Sequence, residues 1–357
     1  MVITIVCDVL GEENNGTTIA AMNLIRYLKS QGHRVKILCA DQNKKGEEDC
    51  FIVPNRSFGK VLDAYVEKVG VTLAKPDEEI VRSAVEGSDI VHIMVPLSLG
   101  MCAVKIAKEM NIPMTAGFHM QAENLTCYVK LNKIKPVNNF VYKYIWKHTY
   151  QYIDGIHYPT QFIRSVFEKN IKRQTPGYVI SNGVHDYVQK RDTQKPEEFK
   201  DKIQLILGGQ GPKEKKYRKL ARYLKIEPIF KLFPRNEIID VLNFSDLYVH
   251  PAEVELEGIA CLEAIMCGKL TIVSDSRLSA TKEFAVDDRC IFKCRKPKDL
   301  ARVIDYWLDN PEEKKLVEQK YLESSNVFNQ NECMKRMENM MFEVINKKAR
   351  EKEYENS

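Results

Sequence analysis

Short β-branched runs alternate with amphipathic stretches along most of this chain, a rhythm that belongs to βαβ units on a parallel sheet. Val2–Cys7, Arg34–Cys39, Ile90–Met94, Pro113–Phe118 and Gly155–Pro159 are candidate strands. Thr17–Gln31, Ser98–Met110, Val137–Tyr152 and Thr160–Asn170 are candidate helices, the first closed by Gly32 as a left-handed C-cap. A strand over Tyr178–Ile180 leads into the turn Ser181-Asn182-Gly183. The stretch from Val188 to Lys202 is then too polar for a core element, and it marks a domain boundary. Beyond it the rhythm restarts, with strands at Ile203–Leu207, Ile229–Leu232, Leu247–His250 and Leu270–Ser274. Helices at Lys215–Leu224, Asn236–Asn243 and Gly258–Cys267 lie between them.

A chain of 357 residues exceeds the roughly 250–300 at which single cores stop growing. The expected organisation is an α/β domain over 1–184, a linker over 185–202, a second α/β domain over 203–330, and a C-terminal helix with a frayed, charge-rich tail over 331–357. Two such domains place ligands at the carboxyl ends of their strands, in a cleft between them. The 44% hydrophobic and 29% charged residues are those of a chain able to bury a core. The N-terminal apolar run is short, lacks a basic start, and reads as a buried strand rather than a signal peptide. No stretch reaches the roughly 20 apolar residues of a membrane span. Ten cysteines without a C-x-x-C pair argue for reduced thiols and against a zinc site. A net charge of +5 is too modest to indicate a nucleic-acid partner.

The strongest local signal runs from His250 to Lys269, where a strand ends, a loop carries Glu255 and Glu257, Gly258 opens a helix, and Glu263 follows inside it. Free N–H groups of Gly258, Ile259 and Ala260 at a positive helix terminus suit a diphosphate. Glu263 suits two ribose hydroxyls and Glu255 the hydroxyls of a sugar. Taken as a carboxylate pair alone, Glu255 and Glu257 are read first as charges placed for the helix dipole. The turn from Gly11 to Thr18 is either a threonine-capped helix start or a phosphate-facing loop, with Gly16 and Thr17 as its candidates. His119 follows a strand at its carboxyl end, where an imidazole is either structural or a hydroxyl partner. Glu123 and Asn124 are acceptor-side candidates or plain surface loop. Gly209 and Gly211 form a G-x-G turn but no complete dinucleotide fingerprint.

Glu255 and Glu263 reproduce an E-x7-E pattern, and the stretch around them resembles the donor signature of retaining GT-B glycosyltransferases, family 4. The N-terminal glycine turn, His119, Asp154-Gly155-Ile156, Ser181-Asn182-Gly183-Val184 and Gly209-Gln210-Gly211-Pro212 agree with that family in order. The resemblance implies two facing Rossmann-like domains, an acceptor-side one first and a nucleotide-sugar-binding one second. It implies a hexosyltransferase that moves sugar from a UDP- or GDP-type donor to a lipid or glycan acceptor without a metal, in the cytoplasm. In that scheme Gly258, Ile259 and Ala260 hold the phosphates and Glu263 the ribose. Glu255 and His119 meet the sugar, and Gly16, Thr17, Gly209 and Gly211 line the nucleotide.

The chain also departs from that pattern. The family's second domain begins with a strand ending in Gly-Arg, with a Lys five positions later, and these cations meet the diphosphate. Between Lys190 and Ile203 this strand and its helix are missing, about 30 residues by the size of an αβ unit. Lys213, Lys215 and Lys216 lie nearby with ordinary helix-surface spacing. A deletion, natural or engineered, a segment missing from the sequence as read, and a divergent protein using other cations all fit. The departure keeps a non-catalytic nucleotide-sugar-binding scaffold in view, beside a GT-B sugar epimerase; an NAD-dependent oxidoreductase ranks last for want of a glycine fingerprint. The basic and aromatic stretch over 128–148 fits peripheral contact with the inner membrane surface, yet an amphipathic helix packing Phe140, Tyr144 and Trp146 inward is the favoured reading.

Overall fold

A computed structural model describes residues 1–8, 10, 16–56, 74–127, 131, 134–199 and 203–355. The turn over 11–15, part of the basic stretch over 128–133 and the end of the linker at 200–202 lie outside these. The chain divides into two units, Met1–Gly183 together with Gln330–Ser357, and Val184–Asn329.

The first unit is built on a seven-stranded parallel sheet ordered β3-β2-β1-β4-β5-β6-β7. Its strands are β1 Val2–Cys7, β2 Arg34–Cys39, β3 Cys50–Ile52, β4 Ile90–Ile93, β5 Met114–Gly117, β6 Gly155–Tyr158 and β7 Gly177–Val179. The order reverses direction at β1, which pairs with β2 (Ile3 opposite Val35) on one side and β4 (Ile3 opposite Ile90) on the other. This is the doubly wound arrangement, in which strands covered on both faces read as continuous apolar runs. Ile3, Ile5, Val6 and Cys7 are accordingly all withdrawn from solvent. The helix Gly16–Ser30 supplies Ala21, Leu24 and Leu28 to the same core, the three-to-four spacing of a one-sided helix.

The C-terminal helix expected, with a frayed tail, as a separate segment over 331–357 is grouped with the first unit. The helix Gln330–Glu355 belongs to the first unit and lays Met334, Met337, Met341 and Val344 into the core around β1 and the helix Gly16–Ser30. Its charges mask this face in the sequence, because the methionines recur at helical spacing among Lys and Glu. Chain exit and re-entry lie side by side: a Cβ added to Gly183 would sit 2.6 Å from Gln330 Cα.

The second unit carries β8 Ile206–Gly208, β9 Ile229–Lys231, β10 Tyr248–His250, β11 Val254–Glu255, β12 Thr271–Ser274, β13 Leu278–Ser279 and β14 Ile291–Phe292. Its sheet is divided into β10-β12-β14, β8-β9 and β11-β13, all pairing in parallel. A core forms around the first of these, where the helix Ile259–Met266 packs Cys261, Leu262 and Ile265 beside Trp307 and Tyr321. Two polar groups there are tied down: Tyr321 Oη donates to Thr271 O at 2.9 Å and Trp307 Nε1 to Arg289 O at 3.3 Å. The β8-β9 flank is different, for Leu205, Leu207, Leu220 and Leu232 are exposed. The first unit supplies the physical reason. There β1 joins the β2-β3 flank to the β4-to-β7 flank; the second unit has both flanks, and among the described residues no strand joins β8 to β10.

Candidate functional site

In the second unit the candidate residues sit where β10, β11 and the helix Ile259–Met266 meet. Gly258 caps that helix in a left-handed conformation, φ 89°, which a side chain rarely adopts. Space excludes one as well, since a Cβ there would lie 2.8 Å from Thr281 Cγ2 and 3.3 Å from Glu255 Cγ. The first bonds of the helix run to Gly258 O from the N–H groups of Cys261 and Leu262. The N–H groups of Gly258, Ile259 and Ala260 therefore precede the helical ladder at its positive end. Gly258 is buried, Ile259 half-buried and Ala260 exposed, so this terminus grades from core to solvent.

Glu255 and Glu263 flank that terminus in different environments. Glu255 is half-buried on β11; its Oε1 accepts from Leu256 N at 3.2 Å and its Oε2 lies 3.5 Å from His250 Nε2. His250 Nδ1 is in turn 3.1 Å from Tyr248 Oη. Glu263 is buried in the helix, and Arg235 Nη1 lies 2.6 Å from its Oε1. Burial pushes the Glu263 carboxyl above the ordinary range, and the Arg235 guanidinium works against that shift. Arg235 opens the helix Arg235–Phe244 and also donates from Nε to Tyr187 Oη at 3.1 Å. Sequence reasoning missed Arg235, because no spacing links it to a carboxylate 28 residues on. Glu257 is buried, so it is not the exposed dipole charge considered from sequence.

Gly209 and Gly211 follow β8 on an exposed turn. Gly209 has φ 135° and donates its N–H to Lys231 O at 3.0 Å; neither glycine would meet an atom within 4 Å if it carried a Cβ. The turn thus needs glycine for its backbone at 209 and leaves open space above both positions.

In the first unit Gly16 opens its helix, exposed, with Thr17 half-buried behind it. His119 stands just past β5, half-buried, with Nε2 turned inward and without a hydrogen-bond partner. The ring passes so close to β5 that a Cβ on Gly117 would lie 2.3 Å from Nε2. Behind it are His92 and His157, neither singled out from sequence, and both in strand positions that pattern reading treats as core. His157 Nε2 donates to Ile180 O at 2.6 Å, which leaves Nδ1 as an unpartnered acceptor. His92 Nδ1 meets Thr115 Oγ1 at 2.9 Å and its Nε2 is unpartnered. The three rings border a cavity of about 10 Å³, together with Ala20, Met94 and Asn182. Burial pushes His92 down to about 3 and His157 down to about 4, and it drives His119 well below the ordinary imidazole range. All three are therefore neutral at physiological pH.

The remaining candidates separate. Glu123 lies in the helix Ala122–Cys127, buried, and accepts from Tyr142 Oη at 2.8 Å, so it is a structural anchor rather than surface loop. Asn124 beside it is exposed. The helix Lys135–His148 buries Asn138, Tyr142 and Ile145, not the aromatic set expected to face inward. Phe140 is 67% exposed and Tyr144 also faces solvent, while Trp146 reaches Phe167 at a ring distance of 6.3 Å. Inward positions 138, 142 and 145 share one helical face that 140 and 144 do not.

Two α/β units, one with a doubly wound sheet and one with a glycine-headed helix that follows Glu255 and contains Glu263, share the fold of solved GT-B glycosyltransferases. The chain belongs to the group 1 glycosyltransferases: residues 14–186 match Glycosyltransferase Family 4 and residues 186–322 match Glycosyl transferases group 1. Among curated relatives, the alpha-monoglucosyldiacylglycerol synthase of Streptococcus pneumoniae is 21% identical over 301 residues, 71% of this chain and 66% of that enzyme, just under two thirds of its length. A sucrose-phosphate synthase from Thermosynechococcus elongatus shares the fold with a TM-score of 0.68 at 14% identity, over 96% of this chain and 99% of its own. Anabaena HepE in complex with UDP does so with a TM-score of 0.70 at 13% identity, over 96% and 99%.

Proposed function

We propose that this chain is a retaining, metal-independent glycosyltransferase of the hexosyltransferase type, taking a UDP- or GDP-sugar as donor and a lipid or glycan as acceptor. The observation that carries the donor assignment is Gly258 in its left-handed conformation at the head of the helix, with Glu255 at its side and Glu263 inside. N–H groups of Gly258, Ile259 and Ala260 stabilise the diphosphate, and stabilise it more as negative charge grows on departure. Glu263, paired with Arg235, accepts from the ribose hydroxyls, and Glu255 from sugar hydroxyls. His119 serves the transferred sugar as a neutral hydrogen-bond partner, and its inward Nε2 leaves the opposite edge of the ring for that contact. Gly16, Thr17, Gly209 and Gly211 let backbone approach the nucleotide. The leaving phosphate takes the acceptor's proton, so no separate base is assigned.

Relatives support the ligand classes. HepE was solved with UDP and glucose, and the streptococcal relative is named for a glucosyl lipid. Exposed Phe140 and Tyr144 beside Lys143 and Lys147 favour a peripheral contact of the first unit with an inner membrane surface, for a protein working in the cytoplasm. The second reading, a nucleotide-sugar-binding protein without transfer activity, is favoured by the break between β8 and β10 and the missing Gly-Arg/Lys segment.

Calorimetry with UDP- and GDP-sugars separates these readings. Binding that Glu263→Ala abolishes, with sugar transfer insensitive to EDTA, supports the enzyme. Binding without transfer supports the second reading. No binding, even after a Gly-Arg/Lys strand and helix is inserted before Ile203, overturns both.

A further inference from the structure

The open flank of the second unit carries charge as well as apolar surface. Between residues 213 and 225 the sequence holds seven lysines and arginines against one glutamate, Glu214. Arg218 alone among them engages Glu214, at 2.8 Å, and the rest of the cluster is directed to solvent with Lys213, Lys216 and Arg222 all exposed. Interleaved with these cations, Leu220 is 54%, Leu224 55% and Tyr223 82% exposed. The helix Glu214–Ala221 buries only Ala221. Arg218 also donates to Phe230 O on β9 at 3.3 Å, and Leu207 of β8 and Leu232, the residue after β9, are exposed as well.

Charge decides what such a face can take. A second copy offering the same face would set seven cations against seven, which costs free energy wherever the charges are drawn out of water. A neutral apolar partner would cover the leucines and strip water from the cations. An anionic lipid surface answers both features, since headgroups meet the Lys and Arg heads while leucine and tyrosine side chains enter the acyl boundary. Lys and Arg stems of this length reach past the apolar side chains to the headgroup level.

We propose that the second unit docks on an anionic lipid bilayer through the basic, apolar face formed by residues 213–232. This surface is separate from the first-unit helix Lys135–His148 and does not rest on the donor assignment.

The test uses the whole chain and vesicles of phosphatidylcholine, with and without about 30 mol% phosphatidylglycerol, read by co-sedimentation. Binding is expected to the anionic vesicles only, and to weaken as salt rises. Lys216→Glu with Lys219→Glu and Arg222→Glu should weaken it roughly a hundredfold, at about fivefold or more per cation. Tyr223→Ser with Leu224→Ser should weaken it with all charge intact. All five positions are exposed, so the variants fold, as circular dichroism would show. Binding to neutral vesicles alone overturns the proposal, as does binding that survives both variants. So does binding lost only in Lys143→Glu with Lys147→Glu, which would assign it to the first unit. Self-association by light scattering without vesicle binding would assign the face to a second copy and equally overturn it.

Discussion

Arg235 Nη1 lies 2.6 Å from Oε1 of Glu263, a carboxylate almost wholly withdrawn from water. Burial pushes that carboxyl above the ordinary range, and the guanidinium opposes the push. Arg235→Leu is expected to leave a Glu263 that holds its proton to higher pH and accepts poorly from ribose hydroxyls. Donor affinity measured by calorimetry should fall tenfold or more at neutral pH, and the loss should shrink as pH rises and Glu263 gives up its proton. Arg235→Lys should restore part of it. Stability should fall by only about 1 kcal/mol, because half of the Arg235 side chain is in solvent.

The histidine cluster sets an acid limit for the first unit. His92 and His157 have folded values pushed down to about 3 and about 4, below the ordinary 6.5 of the unfolded chain. Their neutral forms are favoured in the fold, so their contribution is complete above pH 6.5 and is lost as pH falls through 6.5 toward 4. Each is worth on the order of 3 to 5 kcal/mol at full extent. Asp8 acts in the opposite sense. Burial raises it from 3.8 to about 6 although it accepts from Leu99 N at 3.0 Å and Gly100 N at 3.1 Å. Its contribution is complete below 3.8 and lost as pH rises through 6. Two histidines outweigh one aspartate, so urea midpoints should drop from pH 7 to pH 4.5. His157→Gln, which keeps a donor for Ile180 O, should flatten that drop.

Gly117 and Gly258 distinguish two uses of glycine. At Gly117 the obstacle is the His119 ring, 2.3 Å from an added Cβ, which can swing away. Gly117→Ala should fold, displace His119, and lower kcat more than donor affinity. At Gly258 both conformation and space oppose a side chain. Gly258→Ala should cost about 1–3 kcal/mol of stability and abolish donor binding by calorimetry.

The C-terminal helix is a core element of the first unit. Met341 is fully buried, and Met341→Ala should cost about 2–5 kcal/mol in chemical denaturation. Ending the chain at Asn329 should leave the first unit unable to fold cooperatively.

Continuous apolar runs made the first sheet legible: Val2–Cys7 and Arg34–Cys39 are strands with those same bounds. Short or half-exposed strands were not, among them Cys50–Ile52 and Ile291–Phe292, where two or three residues carry no period. The helix Glu78–Val85 had a usable signal that went unread, since Asp77 caps it by accepting from Glu79 N and Ile80 N. At the candidate site, Gly258 and Glu263 could be read because the helix start lies within one motif. Arg235, His92 and His157 could not, since each acquires its partner through tertiary folding. The methionine face of the last helix was hidden by the charges around it.

Because the chain leaves the first unit at Gly183 and returns at the adjacent Gln330, the second unit is a guest spliced into a host. The host holds the segments on both sides of the guest, the last core helix among them. Evolution or an engineer can therefore exchange the whole guest, or bridge its two junctions with a few glycines, at a single place on the host. An error inside the guest, such as a lost strand, is likewise confined between two neighbouring points of an otherwise intact host.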